Sequence, residues 1–343
     1  MLTLIEDKDA TKIVSVFSNV NKKKRRPVAT VYFTHDVKSV EKQNVAAAAG
    51  VLTLHKKALK KMNKINEAEF QEICRMLDED EEPDGNLRSA FWKIKPIFER
   101  ALRREMYIAD NPDIRFELNF PKDKSKWPGT FTLIANSGAG KTYFLVEMIV
   151  RYFKSVAPFQ RRTVIWLSPE WEIDKSLLPL KDKRWSFNVI GIDIGAIALK
   201  KSGMDAASYY HTKIEEVLDN HGEKALICMD DFPDGAKALY PYLRDAYNTM
   251  LRTARHRGSG VFSLQHTYAG HRNTTQALQS NKYVIFFPRS QQNRCIMFMR
   301  DHLMMNATEA RELVMRFAAL DRYMIIQLHS PVCIFNSKYL LLL

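Results

Sequence analysis

The feature that most constrains this 343-residue chain is the octapeptide Ala135-Asn136-Ser137-Gly138-Ala139-Gly140-Lys141-Thr142. A short apolar run, residues 131–134, precedes it. A helical pattern follows, in which Leu145, Met148, Ile149 and Tyr152 recur at i, i+3, i+4 and i+7. Strand, glycine-rich turn and helix in that order make a seat for phosphate. Gly138 and Gly140 let the backbone turn its N–H groups inward, and the helix N-terminus adds positive potential. Lys141 can set its ammonium against β- and γ-phosphates, and the Thr142 hydroxyl can ligate Mg²⁺. Ala135 stands where glycine is commoner, and a small residue fits there. A chance glycine-rich turn is the alternative, and the flanking strand and helix argue against it. Residues 135–142 are therefore expected to bind ATP.

From residue 130 onward, strand-like and helical runs alternate. The strand candidates are residues 131–134, 163–167, 187–192, 225–229, 261–264 and 283–287. They are short, continuous and rich in branched or aromatic residues, as strands buried on both faces tend to be. Between two of them, Leu243, Ala246, Tyr247, Met250, Leu251 and Ala254 keep a helical period. The expectation is an α/β fold: a P-loop NTPase (RecA-like) with a mainly parallel sheet flanked by helices. Residues 126–343 form this ATPase domain. Residues 1–125 form an additional α+β N-terminal region, basic and of unknown role. It holds strand patterns at 26–35 and 114–120, helical patterns at 67–77 and 87–106, and a turn at Pro83-Asp84-Gly85.

A second site is expected where the apolar run 225–229 ends in Asp230 and Asp231. In a P-loop enzyme such a strand is expected beside the phosphate-loop strand. Asp230 would hold the Mg²⁺ shell, and Asp231 would orient or deprotonate the attacking water. Glutamate is more usual in the second role, and aspartate is one methylene shorter. Gln265 ends the run 261–264, so it should emerge on the same sheet edge, where a glutamine can sense the γ-phosphate. Arg244, Arg252 and Arg255 share a helical face opposite the apolar stripe. Arg272 is the first choice for an arginine acting on a neighbouring subunit's nucleotide, with Arg255 and Arg257 behind it. A solvated basic face is the alternative for each.

Net charge is +13, which favours a polyanionic partner through counterion release. The basic run at residues 22–26 reads as a nuclear address, a phosphate-binding arm or a solvated tail, and Lys122, Lys124 and Lys126 share that ambiguity. The four cysteines, Cys74, Cys228, Cys295 and Cys333, are far apart. They suit neither a zinc site nor a disulfide framework, so a reducing, intracellular setting is expected. The first residues lack a signal-peptide pattern. No apolar stretch reaches the roughly 20 residues that span a bilayer, and the terminal Leu340-Leu341-Leu342-Leu343 is too short to anchor anything.

Taken in order, ANSGAGKT, IWLSPE (residues 165–170), ALICMDD and RHRGSGVFSLQH followed by HRN resemble the FtsK–HerA superfamily. They look most like the genome-packaging ATPases of large DNA viruses, virophages and Polinton-type elements. The resemblance covers roughly residues 128–290. It implies a homo-oligomeric ring that pulls double-stranded DNA through a pore, with a capsid or portal partner and no membrane. It also implies Lys141 and Thr142 at ATP and Mg²⁺, Asp230 and Asp231 as the acid pair, Gln265 as sensor and an arginine across subunits. A viral protein of this kind would work in host cytoplasm or nucleus, or in the virion. Competing readings are a helicase or plasmid-transfer ATPase, a nucleotide kinase, and an inactive nucleic-acid-binding protein.

Overall fold

The computed structural model of the chain describes residues 2–3, 11–18, 27–33, 60, 63–79, 81, 83, 85–103, 106–108, 114–118, 120–185, 188–231, 237–266, 280–303, 305–329 and 332–343. Strands β1 (Leu2–Thr3), β2 (Thr11–Ser18) and β3 (Pro27–Phe33) precede helices α1 (Glu67–Asp78) and α2 (Arg88–Arg103). Next come β4 (Met106–Ile108), β5 (Ile114–Glu117), β6 (Thr130–Ile134), α3 (Lys141–Ser155), β7 (Val164–Ser168) and β8 (Val189–Asp193). Short helical segments lead to β9 (Leu226–Asp230), α4 (Tyr240–Arg257), β10 (Gly260–Gln265) and β11 (Tyr283–Phe286). The chain closes with α5 (Gln292–Leu303), α6 (Ala307–Leu320), β12 (Met324–Gln327), β13 (Cys333–Phe335) and β14 (Tyr339–Leu342).

Among the described residues ten strands make one sheet, in the order β4-β14-β13-β12-β11-β6-β10-β9-β7-β8. From β11 to β8 all neighbours are parallel. Strands β12, β13, β14 and β4 extend it antiparallel. The fold is α/β with a mainly parallel sheet between helices, as the alternation of apolar runs implies. Every residue of β6, β7, β9 and β11 is buried. Alternate residues feed opposite faces. Phe131 and Leu133 pack with Leu145, Ile149 and Phe153 of α3. On the other face Ile227 and Met229 meet Leu243, Tyr247 and Met250 of α4, and Val284, Phe286 and Ile326 meet α5 and α6. Each large apolar side chain buried this way contributes about 1.5–3 kcal/mol.

Two devices fix the register near the amino edge of the sheet. Phe131 pairs with Phe262 and Tyr283 across β10, β6 and β11. Their rings stack with centroids 4.4 Å and 4.8 Å apart. The second device is Arg162, which is 1% exposed. Its guanidinium donates to the carbonyls of Lys224 (3.0 Å), Gly258 (2.7 Å), Asp123 (3.2 Å), Lys124 (3.0 Å) and Lys126 (2.5 Å). One planar fork thus ties together the segments that lead into β6, β9 and β10.

A second sheet, β1-β3-β2-β5, is antiparallel throughout. It joins the large one through β5: Phe116 N donates to Ser337 O at 2.9 Å, and Arg151 pairs with Glu117 at 2.7 Å. Phe116 and Phe120 belong to the main core. Helices α1 and α2 pack Phe70, Ile73 and Leu77 against Ala90, Phe91 and Ile94. An Asn66–Glu69 capping box starts α1. Two expectations for this region need correction. The helix expected over 87–106 stops at Arg103, and Met106 instead pairs with Leu341 in the large sheet. Strand β2 was not anticipated at all; its partner β3 is the strand expected over 26–35.

Candidate functional site

The glycine-rich loop joins β6 to α3. Ala135, at its start, is fully buried beneath it, so a small side chain fits. Gly138 and Gly140 have φ of 73° and 96°, the left-handed region where a Cβ is costly. At Gly140 a Cβ would also lie 2.6 Å from the Arg322 guanidinium, which reaches Ala139 O at 3.4 Å. The loop is pinned from the side by Asn136. Its Nδ2 donates to Ser290 O at 2.8 Å, and its Oδ1 accepts from Gln291 Nε2 at 2.7 Å. The same Gln291 amide donates to the carbonyl of His266, so it stitches the loop to the end of β10.

Lys141 opens α3 and is buried. Its Nζ donates to Ala135 O at 3.0 Å and Asn136 O at 3.4 Å and faces His266 Nδ1 at 3.2 Å. Burial pulls its pKa down, while Asp231 and Asp230 pull it up.

The strand of the acid pair is not next to the phosphate-loop strand, contrary to expectation: β10 lies between β6 and β9. Two strand spacings, roughly 10 Å, separate them. Helix α3 closes that gap by carrying Thr142 across, and Thr142 Oγ1 donates to Asp230 Oδ2 at 3.1 Å. Asp230 is 4% exposed, and among the described residues its Oδ1 has no hydrogen-bond partner. Burial first, and Asp231 second, push its carboxyl up to about 7 against the Thr142 hydrogen bond and Lys141. Asp231 has a φ of 48°, a left-handed backbone that ends the strand. Its Oδ1 lies 2.9 Å from His266 Nε2, an ion-pair distance without full hydrogen-bond alignment.

Gln265 ends β10 between these groups, and its carbonyl accepts from Ala135 N at 3.2 Å. Its side chain is turned back, with Nε2 donating to Ser263 Oγ at 2.8 Å. Arg272 lies outside the described residues, as do residues 22–26. Arg244, Arg252 and Arg255 are exposed on the outer face of α4. Arg255 and Arg257 end that helix at the amino edge of the sheet, away from the phosphate loop of the same chain. Lys124 and Lys126 sit at that edge too, where their carbonyls hold Arg162.

The structure therefore brings together residues 135–142, Asp230, Asp231 and Gln265. It adds His266, Gln291 and Arg322, to which sequence reasoning gave no role. His266 directly follows Gln265, but nothing in its spacing signals that it meets Lys141 and Asp231.

The site suits Mg²⁺. An unpaired, buried carboxylate oxygen on Asp230 beside a threonine hydroxyl is a hard oxygen donor set. Among the described residues no cluster of three or more His, Cys, Asp or Glu side chains could hold a metal by itself. Mg²⁺ needs none, because it takes one or two carboxylates and completes its shell with substrate phosphates and water. Among the described residues no helix is long and apolar enough to cross a membrane.

No protein-family model matches the chain, and no curated protein matches it either. Among solved structures, the chain is similar to the genome packaging NTPase B204 from Sulfolobus turreted icosahedral virus 2 in complex with ATP-gammaS. Identity is 16%, coverage is 63% of this chain and 98% of that one, and the TM-score is 0.37. It is also similar to the cytoplasmic domain of the type VII secretion ATPase EccC of Thermomonospora curvata, at 15% identity over 62% of this chain and 25% of that one, with a TM-score of 0.39. A KaiC-like protein from Pyrococcus horikoshii matches at 11% identity over 50% of this chain and 79% of that one, with a TM-score of 0.32.

Proposed function

We propose that the chain hydrolyses ATP with Mg²⁺ and couples the hydrolysis to movement of double-stranded DNA, packaging a viral genome into a capsid as a homo-oligomeric ring with its sites between subunits. Residues 126–343 would be the motor domain, and residues 1–125 a basic N-terminal region. The observation that carries the nucleotide reading is the Thr142–Asp230 contact of 3.1 Å, made across an intervening strand at the foot of a loop with two left-handed glycines. The motor reading rests on the sequence resemblance to FtsK–HerA packaging ATPases and on the net charge of +13.

The residues divide the work as follows. Loop N–H groups of residues 136–142 cradle the phosphates, and Lys141 leaves the carbonyls of Ala135 and Asn136 for the β- and γ-phosphate oxygens. Thr142 and Asp230 would hold Mg²⁺, which neutralises charge across those oxygens when bound. The Asp231 carboxyl takes a proton from the attacking water. Gln265 swings from Ser263 to sense the γ-phosphate, and an arginine of the neighbouring subunit, Arg272 first, stabilises charge in the transition state.

ATPase assays of the full chain with and without duplex DNA, over a range of salt, test this. The expected result is stimulation by duplex DNA that weakens as salt rises. Electron microscopy with an ATP analogue and duplex DNA should show closed rings. A rate indifferent to DNA, together with monomeric particles, would sink the motor reading and leave only a nucleotide hydrolase.

A further inference from the structure

The proposed chemistry leaves one close contact unused. His266 directly follows β10, and its imidazole stands between two residues of the site. Nδ1 lies 3.2 Å from Lys141 Nζ, and Nε2 lies 2.9 Å from Asp231 Oδ1. An ammonium has only hydrogens to offer, so Nδ1 must accept with its lone pair. The ring hydrogen then sits on Nε2 and faces the Asp231 carboxyl. Ammonium, ring and carboxylate thus stand in a row, with the second contact at ion-pair distance and without hydrogen-bond alignment.

The surroundings hold the ring where it is. Gln291 donates to the His266 carbonyl and to Asn136 Oδ1, so the main chain under the ring is tied to the phosphate loop. Asp231 is the residue that needs holding. Its φ of 48° takes it out of the extended strand, so the register of β9 does not set where its carboxyl points.

We propose that His266 is a positioning residue that passes the state of the phosphate loop to Asp231. Lys141 rests on Ala135 O and Asn136 O and meets Nδ1 of the ring. When a triphosphate enters, Lys141 turns to the phosphates and gives up Nδ1. The ring stays with Asp231 through Nε2 and can turn with it toward the attacking water. This rests on the reading of Asp231 as the group that takes the water's proton. The consequence falls on the hydrolytic step and not on nucleotide binding.

Two readouts test it, both on the full chain. The first needs no nucleotide. Histidine nitrogen resonances of isotope-labelled protein, with His266 assigned by its loss in His266→Gln, should show the hydrogen on Nε2. Lys141→Met should move the Nδ1 signal. A hydrogen on Nδ1, or an Nδ1 signal unmoved by Lys141→Met, overturns the bridge whatever the protein hydrolyses. The second compares His266→Ala and His266→Gln for binding of a fluorescent ATP analogue and for single-turnover hydrolysis. His266→Ala should bind within about threefold of wild type and hydrolyse at least about tenfold more slowly. His266→Gln keeps an acceptor and a donor on one flat group and should recover part of the rate. Hydrolysis by His266→Ala within about twofold of wild type overturns the positioning role. So does an equal loss of rate, affinity and thermal stability in both variants. A wild-type protein that hydrolyses no ATP would refute the proposed function and leave the first readout to decide the bridge.

Discussion

Replacing Asp230 by asparagine should make the nucleotide-free protein more stable and inactive. The carboxyl is 4% exposed, and one of its oxygens has no partner among the described residues. Burial and Asp231 raise its pKa from 3.8 to about 7. Each unit of that rise is worth about 1.36 kcal/mol, so the ionised group costs the empty fold about 4 kcal/mol at neutral pH. Asparagine removes the charge, but its amide brings hydrogens that the pocket does not satisfy, at a cost of about 1–3 kcal/mol. The net gain is on the order of 1–3 kcal/mol. The pH dependence has a definite sign. The folded pKa lies above the unfolded one, so wild-type stability from this group is fully present below about 3.8, declines as pH rises, and is lost above about 7. Urea unfolding of Asp230→Asn and wild type in chelator, from pH 5 to pH 8, should show the gap widening with pH and flattening above about 7. Mg²⁺ with an ATP analogue should reverse the order, because only wild type gains binding energy from the metal. A variant less stable than wild type without nucleotide at pH 8, or a gap that ignores pH, would refute this reasoning.

Other expectations follow from named contacts. Lys141→Ala should abolish ATP hydrolysis and leave the circular dichroism spectrum of the fold intact, since among the described residues its ammonium bonds to the loop and to His266 alone; normal turnover would remove the loop from the site. Arg162→Ala should cost more than about 3 kcal/mol by urea unfolding, because it strips donors from the carbonyls of Lys224, Gly258, Asp123, Lys124 and Lys126. Arg162→Lys should recover only part of that, since an ammonium lacks the planar fork. Gly140→Ala should weaken ATP-analogue binding at least about tenfold, through the left-handed φ of 96° and the Arg322 contact; unchanged affinity would show that the loop does not need its conformation.

How far the sequence foretold the structure depends on how local each determinant is. Strands β6, β7, β9, β10 and β11 were readable because continuous apolar runs can be buried on both faces. The phosphate loop was readable because its glycines and its flanks lie within a dozen residues. The antiparallel extension was not. Strands β12, β13 and β14 are short, and Leu340–Leu342 looked only like an apolar tail until β13 offered it a partner. The place of β10 between β6 and β9 is not legible in the sequence, because topology does not follow chain order. Arg162 stands beside Arg161 in sequence, and only the fold buries one of them. The His266 bridge joins positions separated by 125 and 35 residues (266 − 141 and 266 − 231), a meeting that no local pattern encodes.

The central claim is that the loop around Gly138–Thr142 grips a triphosphate whose metal sits against Asp230. A structure of the full chain with Mg²⁺ and a non-hydrolysable ATP analogue tests it most directly. The account predicts metal density touching Thr142 Oγ1 and the Asp230 carboxylate, with Lys141 Nζ moved from Ala135 O onto phosphate oxygens. Phosphates bound elsewhere, or a loaded loop with Thr142 still donating to Asp230 and no metal beside them, would contradict it.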